Sequence, residues 1–141
     1  MGFSSEHRAV VTVHETKNNG NPTLRVAAVE VWGWKRAAWR LDVGAIDTTV
    51  DAKVQECNDL ATWVDIATAA ITQITALQDN RTVSIEIDCS AAARKRYQRL
   101  LVTVGNGASG AELLAECILD MWNTSGGALL APAELAEVKT A

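Results

Sequence analysis

The sequence predicts an α+β domain: an antiparallel sheet of about five strands in hairpins, with one long and one shorter helix packed on one face. Three observations carry this. Valine-rich segments with period-2 alternation are separated by strong turns. No glycine or proline occurs between Gly44 and Gly105, and within that stretch apolar residues recur at three- and four-residue steps. A capping box, Ser109-Gly-Ala-Glu112, precedes a second apolar stripe.

Residues 8–15, Arg-Ala-Val-Val-Thr-Val-His-Glu, read as the first strand. Lys17-Asn-Asn-Gly-Asn-Pro22 is a turn, because Asn-Gly accepts positive φ and proline marks the exit. Residues 23–32 return as a second strand. A turn at Lys35-Arg36 would then lead into a third, where Trp39, Leu41 and Val43 alternate with Arg40 and Asp42. That turn would set Trp32 opposite Trp39, with Trp34 on the same face; a bulge at Gly33 is the alternative register.

Residues 47–78 read as one long helix. Thr48 with Asp51 resembles an N-cap pair. Leu60, Trp63, Ala67, Ala70, Ile74 and Leu77 form one stripe, and Val50, Val54, Cys57, Ala61, Val64 and Ile71 an adjacent one. Unbroken, it would run roughly 48 Å at 1.5 Å per residue, so a break near Asn58-Asp59 or a projecting end is expected. Val83, Ile85, Ile87 and Cys89 alternate with Ser84, Glu86 and Asp88, the clearest strand pattern in the chain, and residues 97–104 form another. The shorter helix is placed at Ala111–Trp122. Gly126-Gly127 then separates a single domain over 1–125 from a tail or arm over 126–141, which Pro132 would open as a short helix.

Composition narrows the function classes. With 141 residues, 48% apolar and 21% charged, the chain suits one globular domain with a substantial core. A net charge of −4 supplies no general attraction to nucleic acid or anionic membrane. The first residues carry no apolar h-region and no apolar run approaches the ~20 residues of a bilayer span. The expected location is therefore the cytoplasm, or a virion assembled in the host cytoplasm. Cys57, Cys89 and Cys117 are odd in number and never paired as Cys-x-x-Cys, so buried free thiols are expected and neither a metal site nor a cofactor.

Three constellations bear on function. Three of the five tryptophans fall in Val31-Trp-Gly-Trp-Lys-Arg-Ala-Ala-Trp-Arg-Leu41, in a chain with one Phe and one Tyr. Tryptophan and arginine are enriched at binding hot spots, so Trp32, Trp34, Lys35, Arg36 and Trp39 are candidate interface residues; core packing is the competing use of the same rings. Arg94, Lys95, Arg96, Tyr97 and Arg99 could hold phosphates while the tyrosine stacks on a base. Gly105, Gly107 and Gly110 spell G-x-G-x-x-G between a strand and a helix, the context in which a helix N-terminus receives a pyrophosphate. The second strand and acidic residue of a dinucleotide unit are missing, however.

No nucleophile-elbow, zincin or acidic metal motif is present. The histidines, His7 and His14, lie in the first strand, and a His14–Cys89 pair is the only nucleophilic set to consider. The favoured expectation is a non-enzymatic structural or interaction protein. It would be a subunit of a larger homomeric or mixed assembly, such as a capsid, neck or tail accessory protein of a bacteriophage virion, with copies of itself or other assembly subunits as partners. The rivals are a nucleic-acid or nucleotide-binding module using the 94–99 and 105–110 loops, and a small enzyme with an unidentified site.

Overall fold

The computed structural model describes residues 7–17, 23–25, 27–90, 92–106, 111–120 and 137–141. They form two β-sheets enclosing one core. The strands are β1 (His7–Lys17), β2 (Thr23–Arg25), β3 (Val29–Glu30), β4 (Arg36–Ile46), β5 (Val50–Cys57), β6 (Val64–Ala70), β7 (Arg81–Asp88), β8 (Tyr97–Val104), β9 (Ala111–Asp120) and β10 (Glu137–Thr140). Sheet A runs β1-β9-β4-β7-β10, and sheet B runs β2-β8-β5-β6 with β3 also on β8. Every pairing is antiparallel except β10 with β7.

The predicted α+β class is therefore wrong. Among the described residues there is no α-helix, only a 3₁₀ turn at Ala76–Gln78. The stretch expected to be one long helix is β5, a loop, β6 and that turn. Val50, Ala52 and Val54 alternate inward while Asp51, Lys53 and Gln55 face out, so a period-2 pattern lay beneath the 3,4 spacing. Asn58-Asp59 breaks the segment as an Asx turn: Asp59 Oδ1 accepts the amides of Ala61 and Thr62 at 3.0 and 2.7 Å.

The second expected helix is β9, hydrogen-bonded on both sides, to β1 and to β4. Its Ala, Leu and Glu content favours a helix, but propensity is weak against a place in the middle of a sheet. Ala111, Leu113, Ala115, Cys117 and Leu119 enter the core, with Glu112 exposed and Glu116 half-buried. Residues 128–136 of the tail expected to be helical lie outside the described residues, and 137–140 are strand. The Lys17–Pro22 turn lies beyond Lys17 outside them as well.

Strands β1, β4, β7 and β8 fall where the sequence placed them, within a few residues. The expected 23–32 strand is two short pieces, β2 and β3, both on β8. The core between the sheets joins Trp39, Leu41, Val43, Val83, Ile85, Ile87 and Leu113 of sheet A to Val50, Val54, Leu100, Val102 and Val104 of sheet B. Trp39 fills its centre at 1% exposure, and its Nε1–H donates across the sandwich to Gln98 Oε1 at 3.1 Å.

Candidate functional site

The tryptophan segment is not a hairpin tip. After β3, Val31 N–H still bonds to sheet B, donating to the Arg96 carbonyl at 2.9 Å. Trp34 N–H then donates back to the Val31 carbonyl at 3.1 Å, and Gly33 between them has φ +89°. This is the signature of a type II turn, whose third residue needs positive φ and so takes glycine. Next, Lys35 N–H donates to the Asp120 carbonyl in sheet A. The chain thus changes sheets at Trp32–Trp34, and Trp32 is left 55% exposed at the corner.

The expected pairing of Trp32 with Trp39 does not form, because Trp39 sits opposite Ile85 and Cys117 within sheet A. Two candidate interface residues are corrected by this placement. Trp39 is core. Arg36 is buried at the start of β4, where Nη1 donates to Glu86 Oε2 at 3.4 Å. Trp34 packs partly against the core, and Lys35 and Trp32 remain on the surface.

Around Trp32 the structure brings together residues from three separate stretches. The Arg96 guanidinium lies 5.5 Å from the Trp32 ring centre and 5.2 Å from that of Tyr97, within cation–π range. Its Nε donates to Glu30 Oε1 at 3.0 Å, and its backbone N–H to Asn58 Oδ1 at 3.0 Å. Alternation along β8 puts Tyr97 and Arg99 on the outer face of sheet B. Arg99 lies 4.2 Å over the Trp63 ring and donates from Nε and Nη2 to Gln55 Oε1 at 3.0 and 2.8 Å.

Gln55 Nε2 and Lys53 Nζ each donate to the Asp65 carboxylate at 2.8 Å. The Lys53 bond, and then the Gln55 bond, hold Asp65 below the usual carboxylate range. Leu60, at φ +59° and 54% exposed, and Val64, 41% exposed, flank Trp63 in the chain. The outer face of sheet B therefore carries an aromatic and arginine stripe, Trp32, Arg96, Tyr97, Arg99 and Trp63, each side chain held by neighbours. Further along the same sheet an open depression of about 350 Å³ is lined by Asp51, Lys53, Ala70, Leu101 and Thr103 among others.

Trp63, Gln55, Glu30 and Leu60 were not candidates from sequence. Trp63 was assigned to a helix stripe, and the signal that could have exposed it is the Asn58-Asp59 turn just before it.

The basic loop is largely neutralised within the chain. Arg94 Nη1 lies 3.5 Å from Glu56 Oε2, the Lys95 amide donates to the same carboxylate at 3.0 Å, and Arg96 pairs with Glu30. In the glycine motif, Gly107 and Gly110 lie outside the described residues. Gly105 has a packing reason: its N–H donates to the Thr49 carbonyl at 2.8 Å, and a Cβ there would collide with the Thr48 and Thr49 hydroxyls. Because the motif leads into β9, the helix N-terminus that a pyrophosphate needs is missing.

Nor does a Cys89–His14 pair form. His14 is in register with Leu114, Leu114 with Asp42, and Asp42 with Thr82. Cys89 lies beyond the end of β7, on the order of 20 Å further along the strand direction. Its thiol is pushed up to about 12 by burial, and burial raises Cys117 well above the usual thiol range. All three cysteines are free and buried.

Among the described residues no group of three or more His, Cys, Asp and Glu side chains is placed to hold a metal ion. In the same residues no helix is long and apolar enough to cross a membrane. No protein-family model matches the chain, and no curated protein matches it.

Proposed function

We propose that this chain is a non-enzymatic structural subunit that docks onto other subunits of a larger assembly, copies of itself or companions, through the outer face of sheet B. A bacteriophage virion component, such as a capsid, neck or tail accessory protein, is the concrete form of the proposal. One observation carries the docking surface: Trp32, Arg96, Tyr97, Arg99 and Trp63 converge on one face from distant positions in the chain.

Tryptophan, tyrosine and arginine are the residues that dominate binding energy at protein interfaces. Here they are already stacked and hydrogen-bonded, which lowers the ordering cost of association. Protein docking is favoured over polyanion binding because Arg94 and Arg96 are matched to Glu56 and Glu30. Thiol catalysis is disfavoured by the buried, protonated Cys89 and Cys117.

The test is solution mass against concentration by light scattering, for the native chain and for Trp32→Ala. A hot-spot truncation costs about 2 kcal/mol or more, roughly a 30-fold weaker association. Trp32 is half-exposed, so the variant keeps its circular dichroism and melting transition. Equal association of variant and native chain, or unfolding of the variant, refutes the assignment of this surface.

A further inference from the structure

We infer that Arg25 and Arg99 receive a carboxylate side chain of the docking partner, whose segment there is acidic with an apolar residue close beside the acid. The inference rests on the docking reading of the outer face of sheet B and deepens it by giving the chemistry of what docks.

Charge is the first support. On this face Arg96 is paired with Glu30 at 3.0 Å and Lys53 with Asp65 at 2.8 Å. Arg25 and Arg99 have no ion-pair partner among the described residues. Arg99 donates to the neutral Gln55 Oε1, while Gln55 Nε2 donates to Asp65. A neutral amide therefore stands between the Arg99 guanidinium and that carboxylate.

Geometry is the second. Arg25 is exposed and stands opposite Leu101 in the β2–β8 ladder, with Arg99 two residues along β8 on the same face. Diagonal neighbours of this kind are roughly 7–8 Å apart, within reach of long side chains. Partial burial, and then the Arg25 charge, lower the Arg99 pKa from its ordinary value. Two uncompensated guanidiniums side by side repel each other in the free chain. A carboxylate set between them relieves that repulsion and matches the arginine fork.

The third support is the depression beside them. Leu101 lines it and lies one strand spacing, about 4.8 Å, from Arg25. Ala52, Ala70 and Ile71 add apolar surface. The charges at its rim are already satisfied, Lys53 by Asp65 and Asp51 by the Gln73 amide at 2.8 Å. In an extended peptide, alternate side chains lie about 6.6 Å apart on one face. One short segment thus sets its acid on the arginines and an apolar side chain in the depression.

A peptide fits this face better than a phosphate backbone. Glu30 stands opposite Tyr97, and Asp65 opposite Gln55, which is itself opposite Arg99. These carboxylates flank the arginines and repel a run of phosphates, whose binding depends on many cations in succession.

The experiment selects a phage-displayed library of random short peptides on the native chain and, in parallel, on Arg25→Gln. Because Arg25 is exposed and makes no described ion pair, this variant keeps the native circular dichroism and melting transition. The native chain should enrich peptides with Asp or Glu next to, or next but one from, Leu, Ile or Phe. A synthesised enriched peptide, followed by fluorescence anisotropy, should bind Arg25→Gln about tenfold more weakly. Amidation of its acidic side chain should weaken binding to the native chain by a similar factor. Arg99→Lys, which keeps the charge over Trp63 but not the fork, is the second variant and should weaken binding as well.

No enrichment, enrichment of peptides without an acidic residue, or equal binding by native chain and both variants overturns the inference. So does binding of single-stranded oligothymidylate that Arg25→Gln abolishes, which assigns the arginines to phosphate. Failure of the two proposals is distinguishable. Loss of the multimer in Trp32→Ala, with no acid-dependent peptide, retains the docking surface and removes the carboxylate. An acid-dependent peptide lost on Arg25→Gln, with Trp32→Ala associating like the native chain, does the reverse.

Discussion

Replacing Gln98 with leucine tests whether Trp39 belongs to the core that joins the two sheets. Gln98 is fully buried, and its Oε1 accepts the Trp39 indole N–H at 3.1 Å while its Nε2 lies 3.7 Å from Cys89 Sγ. Leucine keeps much of the side-chain bulk but leaves that indole N–H buried without an acceptor. An unsatisfied buried donor costs about 1–3 kcal/mol. At this chain length, ~1 kcal/mol shifts Tm by about 3–4 °C, so a loss of roughly 3–12 °C is expected.

Trp39→Phe should lose more, since it removes ring volume from the centre of the core and orphans Gln98 Oε1. Pairing the two changes removes both polar partners, so the double variant should be less destabilised than the sum of the singles, by about 1 kcal/mol or more. Urea unfolding followed by tryptophan fluorescence and circular dichroism measures all four species, and coincident transitions establish two-state behaviour. Additivity within ~0.3 kcal/mol, or a Gln98→Leu chain melting with the native one, would refute the reasoning.

The remaining predictions concern the loops, the carboxylates and the thiols. Gly105→Ala drives a methyl group into the Thr48 and Thr49 hydroxyls and should cost about 1–3 kcal/mol; adding Thr49→Ala should recover part of the loss in urea midpoints. Asp59, Asp65 and Asp88 are held below their ordinary value of 3.8, chiefly by hydrogen bonds from the Thr62 amide, Lys53 and Ser90 respectively. Their stabilisation is complete above pH ~4 and is lost as pH falls through the depressed folded values. Urea midpoints for native and Asp65→Asn chains should therefore diverge at neutral pH and converge in acid, and convergence already complete at pH 6 would contradict this. Ellman's reagent at pH 8 should leave all three thiols unreacted in the folded chain and react with all of them in guanidinium, because they are buried; prompt native reaction of Cys89 would contradict its placement.

The strands with one wet face were legible in the sequence. In β4 and β8 the inward residues are apolar, Gln98 excepted, and the outward ones largely polar, and period 2 follows directly from strand geometry. The helices were misread for two reasons. The break within 47–78 is made by Asp59 and Leu60, with φ of +59° at Leu60, and Asn80, at φ +53°, closes the segment just beyond it, so these turns lack the glycine and proline that normally mark them. In β9, Ala-Glu-Leu-Leu-Ala-Glu-Cys-Ile-Leu fits a helical face as well as a strand, and only its neighbours choose between them.

The candidate surface was half legible. The sequence singled out Trp32 as an interface residue but Arg96, Tyr97 and Arg99 as anion or nucleic-acid contacts, while Trp39 and Arg36, also offered as interface residues, are interior.

By itself the sequence determined the alternation of the clearest strands and the buried fate of the cysteines. These depend on local stereochemistry and on the removal of apolar area from water, which act on each segment wherever it lies. Only the tertiary structure decided that 111–120 is a strand, that Trp39 faces Gln98 across a sandwich, and that Trp32 and Trp63 meet arginines on one sheet face. Those outcomes depend on partners 30 to 110 residues away in the chain, such as β1 for β9. Non-local pairing of that kind leaves no periodic trace in the segments it joins.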